Sequence, residues 1–464
     1  MIDQKTICAI STAPGMGAIA LVRLSGNEAF DIASKIFVPA NKNKVLAQQK
    51  GGTFHFGSIV DDNEIIDEVI LSLYLAPHSF TGENMVEISC HGSVYLQQKI
   101  LQLLVNNGAR MAKPGEFSQR AFLNGKMDLS QAEAVSDLIA SSSAMAAKIA
   151  INQMRGGVSD QIKILRNQLL TFTSLVELEL DFGEEDVEFA NREELLQLSN
   201  QTSQLINQLT HSFQYGNAIK NGIPITIIGD ANVGKSTLLN ALLNEERAIV
   251  SEIAGTTRDV IEDVVNIEGI AFRLIDTAGI RTTTDHIENI GIERTFQKID
   301  QAEIVLTMID ATSSFNDIII FLTRVSEKLH TKKTALVINK IDAADAATVE
   351  ELIQMGKEMQ FPILTISAKQ RDGIDNLVQF MVRSIQNNGF TESDVIITNL
   401  RHYESLSNAG KAISRVIDGL KSSISGDFLS QDIRECLYYL GEITGEISTD
   451  EILNNIFKNF CIGK

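Results

Sequence analysis

With 464 residues the chain is long enough for about two to four domains, and a hydrophobic share of 44% can fill several cores. A formal charge of −19 excludes a protein that coats nucleic acid nonspecifically, while leaving room for a local contact or a basic partner. Cys8, Cys90, Cys436 and Cys461 are scattered with no C-x-x-C spacing, which argues against a disulfide framework or a zinc site. The first residues lack the basic-then-apolar form of a signal peptide, and no apolar run approaches the ~18 residues of a membrane span. The expectation is a soluble, cytoplasmic protein.

In chain order, residues 1–120 read as α/β. Thr6–Ile10 and Ala18–Arg23 are strand-like around a Pro14–Gly17 turn, and Val69–Leu75 and Met85–Ser89 read as further strands. Arg23 and Glu87 are charges inside apolar strands. Pattern alone leaves two readings open, a solvent-facing position or a binding site. From about Met127 long helices take over. Their apolar faces are Ala132, Val135, Leu138 and Ile139, then Leu165, Leu169, Phe172 and Val176, then Leu195, Leu198, Leu205 and Leu209. Strand–helix alternation begins near Ile223 and fades after about Ser384, where helical periodicity resumes. A nucleotide domain inserted into a discontinuous helical domain fits this pattern; two separate helical domains are the plainer alternative.

The stretch that organises the chain is Gly229-Asp230-Ala231-Asn232-Val233-Gly234-Lys235-Ser236, a G-x-x-x-x-G-K-[ST] phosphate loop. It follows the apolar run Ile223–Ile228, a buried strand, and leads into a helix over Ser236–Leu243. Loop N–H groups can close around phosphate oxygens, Lys235 can reach the outer phosphates, and the Ser236 hydroxyl can hold Mg²⁺. Asp276-Thr277-Ala278-Gly279 ends a strand and can hold a Mg²⁺-bound water and a γ-phosphate contact. Asn339-Lys340-Ile341-Asp342 ends another; the Asp342 carboxylate can accept from guanine N1–H and the exocyclic amine, a pair adenine lacks. Ser367-Ala368-Lys369 fits a loop whose backbone reaches guanine O6. Together, in this order, they specify GTP. Ala254–Asp259 occupies the place of a switch segment.

Two details bear on hydrolysis. Ras-type enzymes orient the attacking water with a Gln after the Asp-Thr-Ala-Gly stretch; here that position is Ile280. The group must come from elsewhere, and Asp285, Glu288 and Glu293 are the nearest supply. The extra cation for the transition state is either Arg258 or a monovalent ion for which Asn232 offers an oxygen.

The sequence resembles the MnmE (TrmE) family of tRNA-modification GTPases from end to end. The resemblance is carried by Asn232–Ser236, Gly255–Asp259, Pro114–Lys126, Asp128–Ala134 and the terminal Phe460-Cys461-Ile462-Gly463-Lys464. It implies an N-terminal α/β folate-binding and dimerisation domain (1–120), a discontinuous all-α helical domain (121–217 and 385–464) and an inserted Ras-like P-loop G domain (218–384). It further implies nucleotide contacts from Asn232, Val233, Gly234, Lys235, Ser236 and Thr237, and from Ser251, Glu252, Ile253, Ala254, Gly255, Thr256 and Thr257. Asp276, Thr277, Ala278, Gly279, Asn339, Lys340, Asp342, Ser367, Ala368 and Lys369 complete that set.

In the family, Mg²⁺ ligands fall on Ser236 and Thr257, and a K⁺ ion on Asn232 with Ser251, Ile253 and Thr256. The catalytic pair is Lys235 and the water-activating Glu288. A formyl-tetrahydrofolate is implied at Arg23, Glu87, Lys126 and Lys464, with Cys461 either a packed small residue or a functional thiol. The implied assembly is a homodimer joined by an FAD-dependent partner, MnmG, in a heterotetramer, with no membrane association. Together they place an aminomethyl or carboxymethylaminomethyl group at C5 of wobble uridine in certain tRNAs. A ribosome-assembly GTPase of the Era or Der type is the main alternative, and a GTP-regulated folate transferase a third reading. Ala231, where many relatives carry Pro, changes loop stiffness without removing a ligand.

Overall fold

The computed structural model describes residues 5–41, 45–181, 191–243, 249–250, 263–275, 288–386, 395–422, 424–458 and 460–463. It falls into two compact units. One comprises Met1–Ser136, Gln153–Leu170 and Leu437–Lys464; the other comprises Asp137–Asn152 and Thr171–Cys436.

The first unit is built on a sheet of β1 (Ile7–Ile10), β2 (Ile19–Ser25), β3 (Phe37–Pro39), β4 (Thr53–Asp61), β5 (Glu64–Tyr74), β6 (Met85–His91) and β7 (Arg110–Met111). The strand order is β3-β4-β5-β6-β2-β1-β7, with only the β1–β7 pair parallel. Alternation sorts each strand onto two faces. Val22, Leu24, Leu71, Leu73, Val86 and Ile88 share a core with the helices Ala29–Ile36 and Val94–Asn106. Arg23 and Glu87 sit between those buried neighbours and so belong to the opposite face. A smaller cluster of Ile7, Ala9, Ala112 and Phe117, with Phe80 packed against it, closes part of that face. Farther on, Leu129 and Ala132 pack against Leu453, Phe457 and Phe460.

Two expectations differ here. The sequence reading placed no strand between Arg23 and Val69, yet β3 and β4 lie there. In β4 the buried side is His55, Gly57 and Ile59, while Phe54 and Phe56 are exposed, so its hydrophobic alternation is inverted. Likewise the helix Leu129–Ala140 buries Leu129, Ala132 and Ala134 and leaves Ile139 exposed, so its packed face lies nearer its start than expected.

The second unit carries a sheet of β8 (Ile223–Ile228), β9 (Ile249–Val250), β10 (Asp263–Ile267), β11 (Ile270–Leu274), β12 (Ile304–Asp310), β13 (Lys333–Asn339) and β14 (Ile363–Thr365). Its order is β14-β13-β12-β8-β11-β10-β9, parallel from β14 to β11. The hairpin partner β10 and the short β9 are antiparallel. Helices cover both faces, as a parallel sheet requires. Ile304, Leu306 and Met308 of β12 enter one core with Leu238, Leu242, Leu377 and Met381. Val305 and Ile309 enter the other with Ile299, Leu322, Leu329 and Leu352. This is a Ras-like doubly wound domain.

Helices flank this sheet in the chain. Asn191 caps Arg192–Asn221 by accepting from the N–H groups of Glu193 and Glu194. Of its expected apolar face, Leu195, Leu198 and Leu209 are buried and Leu205 is half-buried. The Asp137 carboxylate meets Lys220 at 2.7 Å and accepts from Thr398 Oγ1 at 3.4 Å. Met145 N–H donates to the Gly269 carbonyl at the β10–β11 turn, and Asn266 Nδ2 donates to the Ser142 carbonyl.

Candidate functional site

The C-terminal ends of β8, β12, β13 and β14 line one edge of the second sheet, where open α/β sheets present their ligand crevice. After β8 the chain turns through 229–234 into the helix Lys235–Leu243. Gly234 adopts φ +100°, and a Cβ there would lie 2.4 Å from Asn339 Nδ2, so only glycine fits. Asn232, exposed at the loop's crest, takes φ +63°. Lys235 Nζ donates to the carbonyls of Gly229 (2.8 Å) and Asp230 (2.6 Å). Burial lowers its pKa, nearby Asp230 works against that, and Lys298 adds to the lowering. Ser236 and Thr237 lie in the first helical turn.

The residues expected to recognise the base come together beside this loop. Asn339 Nδ2 donates to the Val233 carbonyl at 2.7 Å, and its Oδ1 accepts from Ala368 N–H at 3.0 Å. Lys340 follows at φ +64°, and Asp342 is exposed, accepting from Gln370 Nε2 at 3.3 Å. Ser367 exchanges backbone hydrogen bonds with Asp372, and its Oγ accepts from Gln370 N–H, which fixes the loop that carries Ala368 and the exposed Lys369. Ser251, Glu252, Ile253, Ala254, Gly255, Thr256, Thr257, Asp276, Thr277, Ala278 and Gly279 lie outside the described residues, as do Arg258 and Ile280. Glu288 opens the helix Glu288–Gln301.

A second constellation occupies the open face of the first sheet. Arg23 and Glu87 are register partners on β2 and β6. Nε and Nη2 of Arg23 donate to Glu87 Oε1 at 3.0 and 2.7 Å, and both side chains are about 15% exposed. Tyr74 OH donates to Glu87 Oε2 at 3.3 Å; burial and that carboxylate raise the phenol's pKa. The guanidinium stands 5.3 and 5.6 Å from the ring centroids of Phe80 and Phe117, within cation–π range. Its Nη1 donates to the Gly463 carbonyl at 3.3 Å, which also accepts from Ser11 Oγ at 3.0 Å. Gly463 is at φ +93°, and a Cβ would lie 2.2 Å from the Ile10 carbonyl, so the tail seats itself through a glycine. The chain's last residues thus close on Arg23. Lys126 Nζ donates to the Pro77 carbonyl at 3.0 Å, and Lys464 lies outside the described residues.

Charges support the loop that carries Phe80. Glu116 accepts from Arg110 at 2.5 and 2.8 Å, from Arg120 at 3.2 Å and from Lys113 N–H at 2.9 Å. Burial pushes Glu116 upward, but these bonds hold its carboxyl below its usual value. Arg120 reaches on to Glu83. Burial pushes the thiols of Cys8 and Cys436 up to about 12 and that of Cys90 to about 11, whereas Cys461 is exposed. The sequence reading did not single out Tyr74, Phe80 and Phe117, which surround the Arg23–Glu87 pair, or Asp310, whose carboxylate meets Lys340 Nζ at 2.5 Å. Of these Asp310 had a signal, as the single charge that closes the apolar run Ile304–Ile309.

The sheet and its edge define a P-loop G domain. Similarity to known proteins places it in a larger frame. The family model described as GTP-binding protein TrmE N-terminus matches residues 6–126, and that of the MnmE helical domain matches residues 129–461. The tRNA modification GTPase MnmE of Bacteroides thetaiotaomicron is 56% identical, with 100% of both chains covered. That of Bacteroides fragilis is 55% and that of Flavobacterium johnsoniae 50% identical, again with 100% of both chains covered. This chain belongs to the MnmE family. No helix among the described residues is long and apolar enough to cross a membrane.

Proposed function

We propose that this chain is a K⁺-dependent, dimeric GTPase that acts with a flavoprotein in modifying the wobble uridine of certain tRNAs. The observation that carries the reading is the joining of two sites in one chain whose full-length relatives are named tRNA modification GTPases. One is the Asn339-braced nucleotide edge; the other is the Arg23–Glu87 pair closed by the C-terminal tail.

In the G domain, loop N–H groups and Lys235 bind the phosphates, and Asp342 accepts the guanine edge. The residues present fit the implied ions: the Ser236 hydroxyl is a hard donor for Mg²⁺ at a helix N-terminus, and exposed Asn232 offers an amide oxygen for K⁺. When bound, both ions would supply positive charge at the phosphate oxygens, K⁺ taking the part that an arginine plays in other GTPases. Thr257, Ser251, Ile253 and Thr256 complete the proposed ion sets, and Glu288 holds and orients the attacking water.

The first-unit site suits a tetrahydrofolate. A carboxylate offers about four acceptor positions, and Arg23 and Tyr74 take three at Glu87, leaving one for a pterin donor. Half-buried Phe80 gives an apolar wall with the fully buried Phe117 behind it, and Lys126 and Lys464 provide cations for the glutamate tail. Cys461 stands exposed in this tail, which overturns its reading as a packed small residue and leaves that of a thiol with a role in the chemistry. The homodimer gains support from the exposed Phe54, Phe56 and Ile70, of which Phe56 and Ile70 are register partners. The FAD-dependent MnmG partner then brings flavin and much of the tRNA affinity, which reconciles a charge of −19 with a nucleic-acid task.

The test is a mass-spectrometric nucleoside profile of tRNA with and without this protein. Loss of the C5-modified wobble uridine in its absence supports the reading, and unchanged tRNA overturns it. Co-sedimentation with ribosomal subunits only in the GTP state would favour the Era or Der alternative.

A further inference from the structure

We propose that Asp310 is a positioning residue for guanine-nucleotide recognition, acting by anchoring the ammonium of Lys340 and thereby the turn that presents Asp342. The proposal rests on the reading of Asp342 as the acceptor for the guanine edge.

Asp310 is the last residue of β12, a strand buried along its whole length between the strands that carry the phosphate loop and Asn339. Its carboxylate is divided between two tasks. Oδ1 accepts from the N–H and Oγ1 of Thr312 at 2.9 and 2.7 Å, which fixes its orientation. Oδ2 meets Lys340 Nζ at 2.5 Å. The carboxylate side of this pair is 9% exposed and the ammonium side 37%. Burial raises the Asp310 pKa, but the bonds from Lys340 and Thr312 outweigh it and keep the group ionised.

What this anchors is a backbone that does not hold itself. Lys340 is a non-glycine residue at φ +64°, a left-handed conformation that L side chains disfavour and that persists only where its surroundings enforce it. Backbone bonds on either side of it help to enforce that conformation. Ala311 N–H donates to the Asn339 carbonyl, Ile341 N–H to that of Ile366, and Ala343 N–H to that of Lys340. The Asn339 side chain braces the residue before Lys340 and Gln370 donates to Asp342 beyond it, while the Asp310–Lys340 pair is the side-chain contact made by the left-handed residue itself. Because Asp342 is exposed and two residues beyond Lys340, any drift of the turn moves its carboxylate relative to the phosphate loop. Charge at residue 310 therefore sets how well two hydrogen bonds to guanine align.

The experiment uses the full chain, with GDP and IDP as probes. Inosine lacks the exocyclic amine and so takes only one of the two bonds to Asp342. Asp310→Asn keeps the Thr312 contacts and removes the charge. It should raise Kd for GDP about tenfold and Kd for IDP no more than threefold. KM for GTP should rise similarly while kcat stays within threefold. In a Lys340→Met background, Asp310→Asn should add nothing, since the path runs through Lys340. Wild-type affinity in Asp310→Asn, an equal loss for GDP and IDP, or additive losses in the double variant would overturn the proposal. If Asp310→Asn fails to fold, Asp310→Glu, which retains the charge, should bind GDP within threefold of wild type; a tenfold loss overturns the proposal. A wild-type chain that bound ADP as well as GDP would instead refute the base-recognition reading beneath it.

Discussion

Asn339 donates from its side-chain amide to the carbonyl of Val233, so the base-recognition turn and the phosphate loop form one hydrogen-bonded piece. The same side chain accepts from Ala368, which brings the third loop into that piece. Asn339→Ala leaves a buried carbonyl and a buried N–H without partners, at about 1–3 kcal/mol each. Both nucleotide affinity and thermal stability should fall, read by titration with a fluorescent GDP analogue and by a melting curve. A variant with unchanged melting and unchanged affinity would refute the bracing role.

Asp342→Asn should exchange one base for another. Xanthine carries a carbonyl where guanine carries its amine, and an amide can donate to that carbonyl while still accepting from N1–H. Affinity for GTP should drop about 10²-fold or more, and xanthosine triphosphate should become a substrate. Competition binding with both nucleotides decides it.

Glu116 governs a pH effect in the first unit. Its folded pKa lies below the unfolded value, so the ionised form favours folding. The stabilisation is complete above the ordinary carboxylate range and is lost as pH falls through the depressed folded value. Glu116→Gln should flatten this acid limb and cost about 1–3 kcal/mol, because the charged bonds from Arg110 and Arg120 are weakened while Arg120 keeps its pair with Glu83. Denaturation at pH 7 and pH 4 measures both effects.

Glu288→Ala should slow GTP hydrolysis by about 10²-fold or more with nucleotide affinity near normal, since a water-orienting base acts after binding. Hydrolysis by the wild-type chain should be faster in K⁺ than in Na⁺, as Asn232 suggests. Equal rates in the two salts would remove the ion from the mechanism, and full activity in the alanine variant would remove Glu288.

Legibility in the sequence followed the physics of each region. The strand Ile223–Ile228 was read with its observed bounds, because a strand buried on both faces is a continuous apolar run between turn signals. The grouping of Asn339, Asp342 and Ser367 beside the phosphate loop was readable because each stretch follows a strand of the parallel sheet, whose C-terminal ends share one edge. β4 was hidden because it faces its phenylalanines outward and buries His55 and Gly57. The pairing of Arg23 with Glu87 was hidden for another reason. Sequence gives each residue a face of its own strand, while the cross-strand register that sets them opposite one another depends on the pairing of β2 with β6. The seating of Gly463 against Ile10 joins the two ends of the chain, a relation no local pattern encodes.

Asp137 holds Lys220, just before the chain enters the nucleotide-binding sheet, and Thr398, just after it leaves. One carboxylate thus spans both crossings. A segment whose ends meet in this way closes no wide loop in its host, and loop entropy grows only slowly with the length enclosed. The helices Arg192–Asn221 and Leu400–Lys421 pack on one another, and Tyr215 and Ile219 of the first also enter the core of the enclosed sheet. The bonds from Met145 to Gly269 and from Asn266 to Ser142 fasten the β10–β11 hairpin to the same helical frame, so the sheet is clamped at its entry, its exit and one hairpin between them.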